Sequence, residues 1–302
     1  MKKIATLLLA FAAALTLAFA GEKPVTHPYS QHYDYRDFTA LSVSHSFRVD
    51  FAFSDDWTVD VTVPDFIQPY LKVTRIGNKV RIGLEKLPRD VQRKLNDYKD
   101  PLQATVRMPK LLSLTLSGAS RLTAEGEQKL GNENLHLDLS GASRLESLVS
   151  SGNSILNLEL SGASHADLKA DFNLMNIDAS GASHLTVTGN ADKVHLDCSG
   201  ASSCKIDGDV KDADVDVSGS SKATITGKVG SLDVDQSGAS KFSATGEVAK
   251  ADVEVSGASS CRIAVTERLS YELSGAATLH VKNLGAKIDG EQSRGSKIQF
   301  ER

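Results

Sequence analysis

Residues 199–236 read SGASSCKIDGDVKDADVDV and then SGSSKATITGKVGSLDVDQ, two segments of nineteen residues that open on nearly the same four letters. We call Ser-Gly-Ala-Ser and its near copies the corner phrase. It begins at ten places, which are Ser117, Ser140, Ser161, Ser180, Ser199, Ser218, Ser237, Ser256, Ser274 and Ser293. The steps between these starts are 23, 21, 19, 19, 19, 19, 19, 18 and 19 residues. Self-similarity at a fixed short period is typical of solenoids, in which each repeat packs only on its neighbours.

Within one segment the pattern predicts two short strands. Residues 213–217 and 222–226 each alternate apolar and polar side chains, and Gly219 between them permits a left-handed corner. Strands this short cannot bury a face alone, so we expect each to pair with its copy one coil away, about 4.8 Å distant. The sequence therefore predicts an all-β fold, a single-stranded parallel β-helix with about 19 residues per coil. The lack of strict hexapeptides favours a right-handed helix.

Stacking in register should place equivalent residues above one another. The inward column after each corner is predicted to hold Leu122, Leu145, Ala166, Leu185, Cys204, Ala223, Phe242, Cys261, Leu279 and Ile298. The inward column before each corner is predicted to hold Leu137, Leu158, Ile177, Leu196, Val215, Val234 and Val253. Ten copies of the phrase make nine steps, so this part of the chain should be about 43 Å long.

The chain divides into four predicted segments. Residues 1–20 combine a basic start with an apolar run and end on Ala18-Phe19-Ala20, which is typical of a Sec signal peptide. Residues 21–34 are predicted to be a flexible leader. Residues 35–110 are predicted to form an N-terminal cap with the first coils, and residues 111–302 the repeat β-helix. We expect no membrane span after the signal peptide is cleaved.

The predicted cap carries larger side chains than the coils. Residues 71–76 and 80–84 flank Gly77-Asn78, a pattern typical of a β-hairpin. Four apolar residues spaced four, four and three apart predict one short helix over residues 88–99. Such a cap should cover the strand edge that a stack of coils would otherwise expose.

An acidic residue stands two positions before the corner phrase in nine successive coils. We call these residues the acidic column: Asp138, Glu159, Asp178, Asp197, Asp216, Asp235, Glu254, Glu272 and Glu291. Like charges one coil apart repel by about 1 kcal/mol per pair in water. We expect solvent and salt bridges to relieve this repulsion, with bound divalent cations as the alternative. The candidate partners form a basic column just after the corner: Arg121, Arg144, His165, His184, Lys222, Lys241 and Lys297.

Two histidines suggest a candidate metal site. His165 and His184 occupy the same column in adjacent coils, so their rings should lie about 5 Å apart, and Asp167 follows one outward position later. These three side chains could hold a transition metal. Exposed histidines without a metal are the favoured alternative. No other cofactor is expected.

The chain has three cysteines, an odd number that argues against a disulfide framework. Cys204 and Cys261 should lie three coils apart, too far to form a bond. Cys198 and Cys204 flank one corner, and whether they pair is left open. Buried free thiols that pack as small apolar side chains are favoured.

Five stretches of the chain match one family pattern. They are Phe38-Thr-Ala-Leu-Ser-Val43, Trp57-Thr-Val-Asp-Val-Thr-Val63, Gly77-Asn-Lys-Val-Arg-Ile82, Met108-Pro109 and Leu114-Thr-Leu-Ser-Gly-Ala-Ser120. Over about residues 35–302 the chain resembles the GIN-domain family, described as head domains of bacterial autotransporter adhesins. The resemblance implies a single-stranded β-helix and a Gram-negative envelope protein. Since no translocator barrel follows the coils, we expect Sec export to the periplasm, with an extracellular or outer-membrane-associated position as alternatives.

Two classes of function are compatible with this sequence. The favoured class is an exported non-catalytic β-helix that serves adhesion, scaffolding or glycan binding, with a glycan or an envelope protein as partner. The alternative is a polysaccharide lyase or hydrolase, which should interrupt the repeat with a loop of clustered titratable residues. The coils are uniform, which favours the non-catalytic class and leaves enzymatic activity open. The formal charge of −4 with no basic block argues against nucleic acid. The oligomeric state is left open.

Overall fold

The computed structural model describes residues 27–301, so the predicted signal peptide lies outside the described chain. Seven strands form the N-terminal part: β1 (Pro28–His32), β2 (Ala40–Val43), β3 (Phe47–Phe53), β4 (Thr58–Pro64), β5 (Leu71–Ile76), β6 (Lys79–Leu84) and β7 (Leu102–Met108). This part also holds a 3-10 helix and the α-helix α1: Asp65–Tyr70 and Arg89–Asp97. Between residues 27 and 301, no helix is long and apolar enough to cross a bilayer.

The remaining strands build the coils. They are β8 (Ser113–Leu116), β9 (Arg121–Glu125), β10 (Glu127–Lys129), β11 (Leu135–Leu139), β12 (Arg144–Leu160), β13 (His165–Ala179), β14 (His184–Thr188), β15 (Ala191–Cys198), β16 (Ser203–Asp207), β17 (Val210–Val217), β18 (Lys222–Thr226), β19 (Val229–Gln236), β20 (Lys241–Val255), β21 (Ser260–Leu273), β22 (Thr278–Asn283), β23 (Lys287–Gln292) and β24 (Lys297–Glu301).

Each strand of a coil pairs in parallel with its copies in the coils before and after it. β17 lies between β15 and β19, and Val215 pairs with Leu196 on one side and Val234 on the other. β18 lies in the same way between β16 and β20. Paired residues in this region are nineteen positions apart, which confirms the predicted β-solenoid. The hand of the helix stays a prediction.

The interior is built from the two predicted inward columns. All seven residues of the column before the corner are buried, and so are nine of the ten after it, with Ile298 half-buried near the C-terminal end. Burying one Val or Leu side chain contributes about 1.5–3 kcal/mol. Because every coil adds such residues above and below its neighbours, the coils stabilise one another.

The corner phrase joins successive coils through its backbone. Gly200 adopts a φ of 73°, in the left-handed region. The N–H of Ala201 donates to the carbonyl oxygen of Gly181 at 2.7 Å, one coil away. The buried hydroxyl of Ser202 donates to the carbonyl oxygen of Ala179 at 2.9 Å. The phrase recurs because each of its turns must bond to the turn before it.

The N-terminal part turns the parallel ladders into antiparallel ones. β2 and β3 pair with β8 and β9, and on their other edges β6 and β7 still run parallel. β5 then pairs with β6, β4 with β7 and β1 with β4, all antiparallel. The predicted hairpin and the predicted short helix are confirmed as β5–β6 and α1. Because β2 and β3 already share the ladders of the coils, the cap boundary near residue 110 stays a proposal.

One prediction is wrong in this region. Residues 28–32, placed in the flexible leader 21–34, form β1 and pair with β4 over five residues. The pairing is supported by hydrogen bonds between the hydroxyls of Ser30 and Thr62 at 2.9 Å and between His32 and Asp60 at 2.7 Å. Most side chains of β1 are exposed, so backbone pairing rather than burial holds it. Residues 21–26 lie outside the described chain.

Candidate binding surfaces

The acidic column forms a continuous exposed row. Each of its nine members pairs in register with the next, from Asp138 with Glu159 to Glu272 with Glu291. A second row of carboxylates, Asp214, Asp233 and Asp252, lies beside it on the same face. The role of the acidic column as a binding surface stays a prediction.

The expected salt bridges to the basic column are not formed. Over residues 27–301, the ion pairs include no member of the acidic column. Arg144 of the basic column instead pairs with Glu146, two residues along its own strand, at 3.4 Å. The two columns lie on different strands, one on each side of the corner phrase. Solvent is therefore left to screen the acidic column.

Three carboxylates of the acidic column have a raised pKa. Partial burial, followed by repulsion from Asp178, raises the pKa of Asp197. Partial burial and the neighbouring Asp235 raise the pKa of Asp216 in the same way. At Glu254, repulsion from Asp235 and the next glutamate is the main cause of a raised pKa. The column is thus a surface where an approaching cationic group would relieve existing repulsion.

The histidine pair lies where the repeat predicts. The rings of His165 and His184 stack with centroids 5.0 Å apart and an interplanar angle of 8°. Asp167 follows on the outward face of β13, paired with Thr186. Burial, together with Arg144 and the second imidazole, lowers the pKa of His165. Stacked rings present their faces to each other, so their nitrogen atoms do not converge on one ion. Among the described residues, no three His, Cys, Asp or Glu side chains form a group that could hold a metal ion.

A third surface was not predicted from the sequence. A groove of about 840 Å³ runs along the solenoid where the coils bend at a second corner. We call it the corner groove. Its lining begins at Lys129 and ends at Thr266, which places it across eight successive coils. Seven steps between coils correspond to a length of about 34 Å.

The floor of the corner groove is formed by residues whose apolar side chains are buried. Phe172, Ala191, Val210 and Val229 pair in register from coil to coil and line the groove. Gly208 lies next to this floor, and a Cβ there would lie 1.9 Å from the carbonyl oxygen of Gly189. At such glycines the backbones of successive coils approach too closely for a side chain.

The rim of the corner groove is polar and is held by a ladder of side chains. The N–H of Asn190 donates to Asp171 Oδ1 at 2.8 Å, and the N–H of Asp209 donates to Asn190 Oδ1 at 2.9 Å. The N–H of Lys228 then donates to Asp209 Oδ1 at 2.8 Å. Each side chain satisfies a backbone group of the next coil, so the rim is ordered by the repeat itself.

Three of the four carboxylates that line the corner groove are engaged in structural contacts, and Glu247 is the fourth. Asp171 and Asp209 accept backbone hydrogen bonds, and Asp192 pairs with Lys211 at 2.6 Å. Lys129, Lys211 and Lys228 stand among these carboxylates, so the groove combines both signs of charge. A groove whose polar rim carries nearly balanced charge can bind an extended polar molecule, chiefly through hydrogen bonds.

The sequence did contain a pattern for this groove. A Gly followed by a polar residue recurs at nineteen-residue steps at Gly189-Asn190, Gly208-Asp209, Gly227-Lys228 and Gly246-Glu247. It predicts a second repeated turn. The concavity of that turn depends on the bend angle between strands, which the sequence pattern does not predict.

Comparison with known proteins identifies one family. The model of the family described as "Putative auto-transporter adhesin, head GIN domain" matches residues 37–208 and 172–285. A search of curated proteins finds no match.

Solved structures give more distant similarities. A crystal structure reported as a putative adhesin from Parabacteroides distasonis is 14% identical, with a TM-score of 0.47 over 91% of this chain and 97% of that one. A putative adhesin from Parabacteroides merdae is also 14% identical, with a TM-score of 0.44 over 91% and 96%. A protein reported as a putative lipid binding protein from P. distasonis is 14% identical, with a TM-score of 0.48 over 91% and 97%.

Proposed function

Since the chain belongs to the GIN-domain family of auto-transporter adhesin heads, we propose that it is an exported, non-catalytic protein that binds a glycan chain in the corner groove. Export through the Sec pathway is inferred from the pattern of residues 1–20. The periplasm is the proposed location, with an extracellular or outer-membrane-associated position as alternatives. An envelope protein is the alternative partner.

The corner groove is the observation that carries this proposal. It is a linear concave surface that crosses eight coils, so it suits a linear polymer better than a small compact ligand. Its rim offers amide, carboxylate and amine groups that can donate to and accept from sugar hydroxyls. The floor residues Phe172, Ala191, Val210 and Val229 are only 2–7% exposed, so the rim groups would make most of the contacts with the ligand.

The corner groove differs from the acidic column in charge. A polyanionic glycan would be repelled by the acidic column, while the groove carries lysines and carboxylates together. We therefore expect a neutral or weakly charged glycan. The repeat makes neighbouring positions along the groove nearly equivalent, so several units of one chain can bind at once and add their contributions.

The enzymatic alternative, a polysaccharide lyase or hydrolase, requires side chains that are available to transfer protons. Of the four carboxylates that line the groove, Asp171 and Asp209 accept backbone hydrogen bonds and Asp192 pairs with Lys211. Glu247 is the fourth, and one carboxylate does not supply the pair that glycoside hydrolysis uses. A catalytic role would require these structural bonds to break. This argument favours binding without turnover.

The test is a glycan screen with the chain from residue 21 to 302. We expect retention of a neutral polysaccharide, and an Asn173→Trp variant should weaken it about tenfold or more because the exposed Asn173 lines the groove. Lys222→Trp is the matched control, since Lys222 is exposed on β18 and lies outside the groove lining. Equal binding by both variants would place the site elsewhere. Release of reducing ends from the bound polysaccharide would favour the hydrolase.

A further inference from the structure

Two of the three cysteines meet inside one coil. Cys198 ends β15 and Cys204 is the second residue of β16, on the two sides of the corner phrase that begins at Ser199. All three thiols are free and buried. The Sγ atoms of Cys198 and Cys204 lie 3.1 Å apart, whereas bonded sulfurs lie about 2.05 Å apart. A rotation that moves the two sulfurs about 1 Å closer would allow a bond.

We propose that Cys198 and Cys204 form an intramolecular disulfide across this corner and that Cys261 remains a free thiol. The link would join the last residue of one strand to the start of the next within a single coil. It would thereby fix the bend of that coil covalently, while the bends of the neighbouring coils are held by hydrogen bonds and packing.

Packing alone does not require sulfur at these positions. In the following coil, the residues paired with Cys198 and Cys204 are Val217 and Ala223, and both are buried. Val and Ala therefore fill the same two places. Two cysteines at these places can form a covalent bond, which a valine and an alanine cannot.

Cys261 provides an internal comparison. Its counterpart across the corner is Val255, the last residue of β20, so no second thiol faces it. Burial raises the pKa of Cys261 to about 12, which keeps it as an unreactive thiol near neutral pH. In the Cys198 and Cys204 pair, the hydrogen bond between the thiols lowers the pKa of Cys198 and raises that of Cys204. The three thiols are thus chemically distinct.

The oxidation balances with a disulfide as oxidant, such as oxidised glutathione or a dithiol oxidase. The thiolate of one cysteine attacks a sulfur of that disulfide and releases one thiol, which leaves a mixed disulfide on the chain. The other cysteine then attacks the chain sulfur and releases the second thiol. The chain loses two electrons and two protons, and the oxidant gains them as two thiol groups.

Burial of both sulfurs sets the time of this step. Cys198 and Cys204 are 0% and 2% exposed, so the oxidant must react before the coils close around them. Only five residues separate the two cysteines, which makes their encounter in the unfolded chain frequent. In the cell the oxidant depends on the export proposed above, whereas oxidation during refolding does not.

The test is oxidative refolding of the chain from residue 21 to 302. Reduced, denatured protein is refolded with oxidised and reduced glutathione, denatured again and alkylated. We expect one alkylated cysteine, Cys261, and a peptide in which Cys198 is linked to Cys204. Three alkylated cysteines, a persistent glutathione adduct, or a link through Cys261 or between chains would overturn the proposal.

Matched variants test whether the link fits the fold. Cys198→Val and Cys204→Ala introduce the side chains that the next coil already holds, so both variants should fold. The oxidised protein should unfold at a higher denaturant concentration than the reduced protein. The double variant should show one midpoint with or without oxidant. A midpoint of the oxidised protein equal to or below that of the reduced protein would overturn the proposal.

Discussion

Gly200 illustrates how closely two coils approach at a corner. Its φ is 73°, and a Cβ at this position would lie 2.6 Å from the carbonyl oxygen of Gly181. The same oxygen accepts the N–H of Ala201 at 2.7 Å. A side chain here would therefore strain the backbone and break the bond between coils. Gly77 is different, because its φ of 60° is also left-handed but no atom lies within 4 Å of the added Cβ.

This difference predicts unequal costs for the same substitution. Gly77→Ala should lower the free energy of unfolding by about 1–2 kcal/mol, from backbone strain alone. Gly200→Ala should lower it by about 3 kcal/mol or more, since overpacking between coils adds to that strain. Denaturant unfolding followed by far-UV circular dichroism measures both. Equal losses in the two variants would show that contact between coils at the corner adds nothing.

The strands that carry the acidic column bury apolar side chains on one face, which stabilises the fold. On the other face they expose carboxylates that repel one another. On β17, Val215 and Val217 are buried while Asp214 and Asp216 are exposed. Each buried valine contributes about 1.5–3 kcal/mol, whereas neighbouring charges repel by about 1 kcal/mol or less in water. Burial outweighs repulsion, so the stack tolerates a full row of carboxylates.

The repulsion should nevertheless appear as a dependence of stability on pH. Burial and the neighbouring carboxylates raise the pKa of Asp216 above its ordinary value of 3.8. Between that value and the raised pKa, the folded protein binds more protons than the unfolded chain, so this group makes stability fall as pH rises. Asp216→Asn should therefore stabilise the protein at neutral pH, by about 0.5 kcal/mol because the exposed side chain is screened by solvent. The gain should vanish below pH 3.8.

Asp212→Asn is the matched control on the same strand. Asp212 pairs in register with Lys193 on one side and Ser231 on the other, rather than with carboxylates. Its substitution should bring no gain in the free energy of unfolding at neutral pH. Thermal or denaturant unfolding at several pH values and salt concentrations measures both variants, and added salt should reduce the gain at Asp216. A gain at Asp216 that does not change with pH would contradict the account.

Stacking of the coils along one axis makes each surface of the molecule a column. A residue type that recurs once per coil becomes a row of identical groups about 4.8 Å apart. The acidic column, the basic column and the corner groove all arise in this way. A partner with its own linear repeat can meet such a row at many points, which is why the proposed ligand is a polymer.

The period of the corner phrase was sufficient to predict this stack and the residues of both inward columns. It was sufficient because register, burial and repeat spacing are all set by the same nineteen residues. The hairpin at Gly77-Asn78 was also predictable, since its turn type is local. β1 was not predictable, because its exposed side chains carry no apolar alternation and only its pairing with β4 orders it.

The candidate sites were predicted less completely. The order of the acidic column follows from register alone, and so does the stacking of His165 on His184. The salt bridges expected from the basic column depend on the angle between strands at the corner, and they are not formed among the described residues. The corner groove and the contact of Cys198 with Cys204 depend on the same angles. Such angles are a property of the folded coil rather than of its spacing.

Distances between spin labels on one outward row test the stacking most directly. The chain carries Cys198→Val, Cys204→Ala and Cys261→Ala, so that no native cysteine is labelled. In one variant Asp167 and Arg262 are both replaced by cysteine and labelled, and in a second variant Asp167 and Gln299 are. These positions are five and seven coils apart by register. Pulsed electron–electron double resonance should give a distance of about 24 Å for the first pair and about 34 Å for the second, a difference of about 10 Å. Two distances that do not increase with the number of coils would contradict an in-register stack.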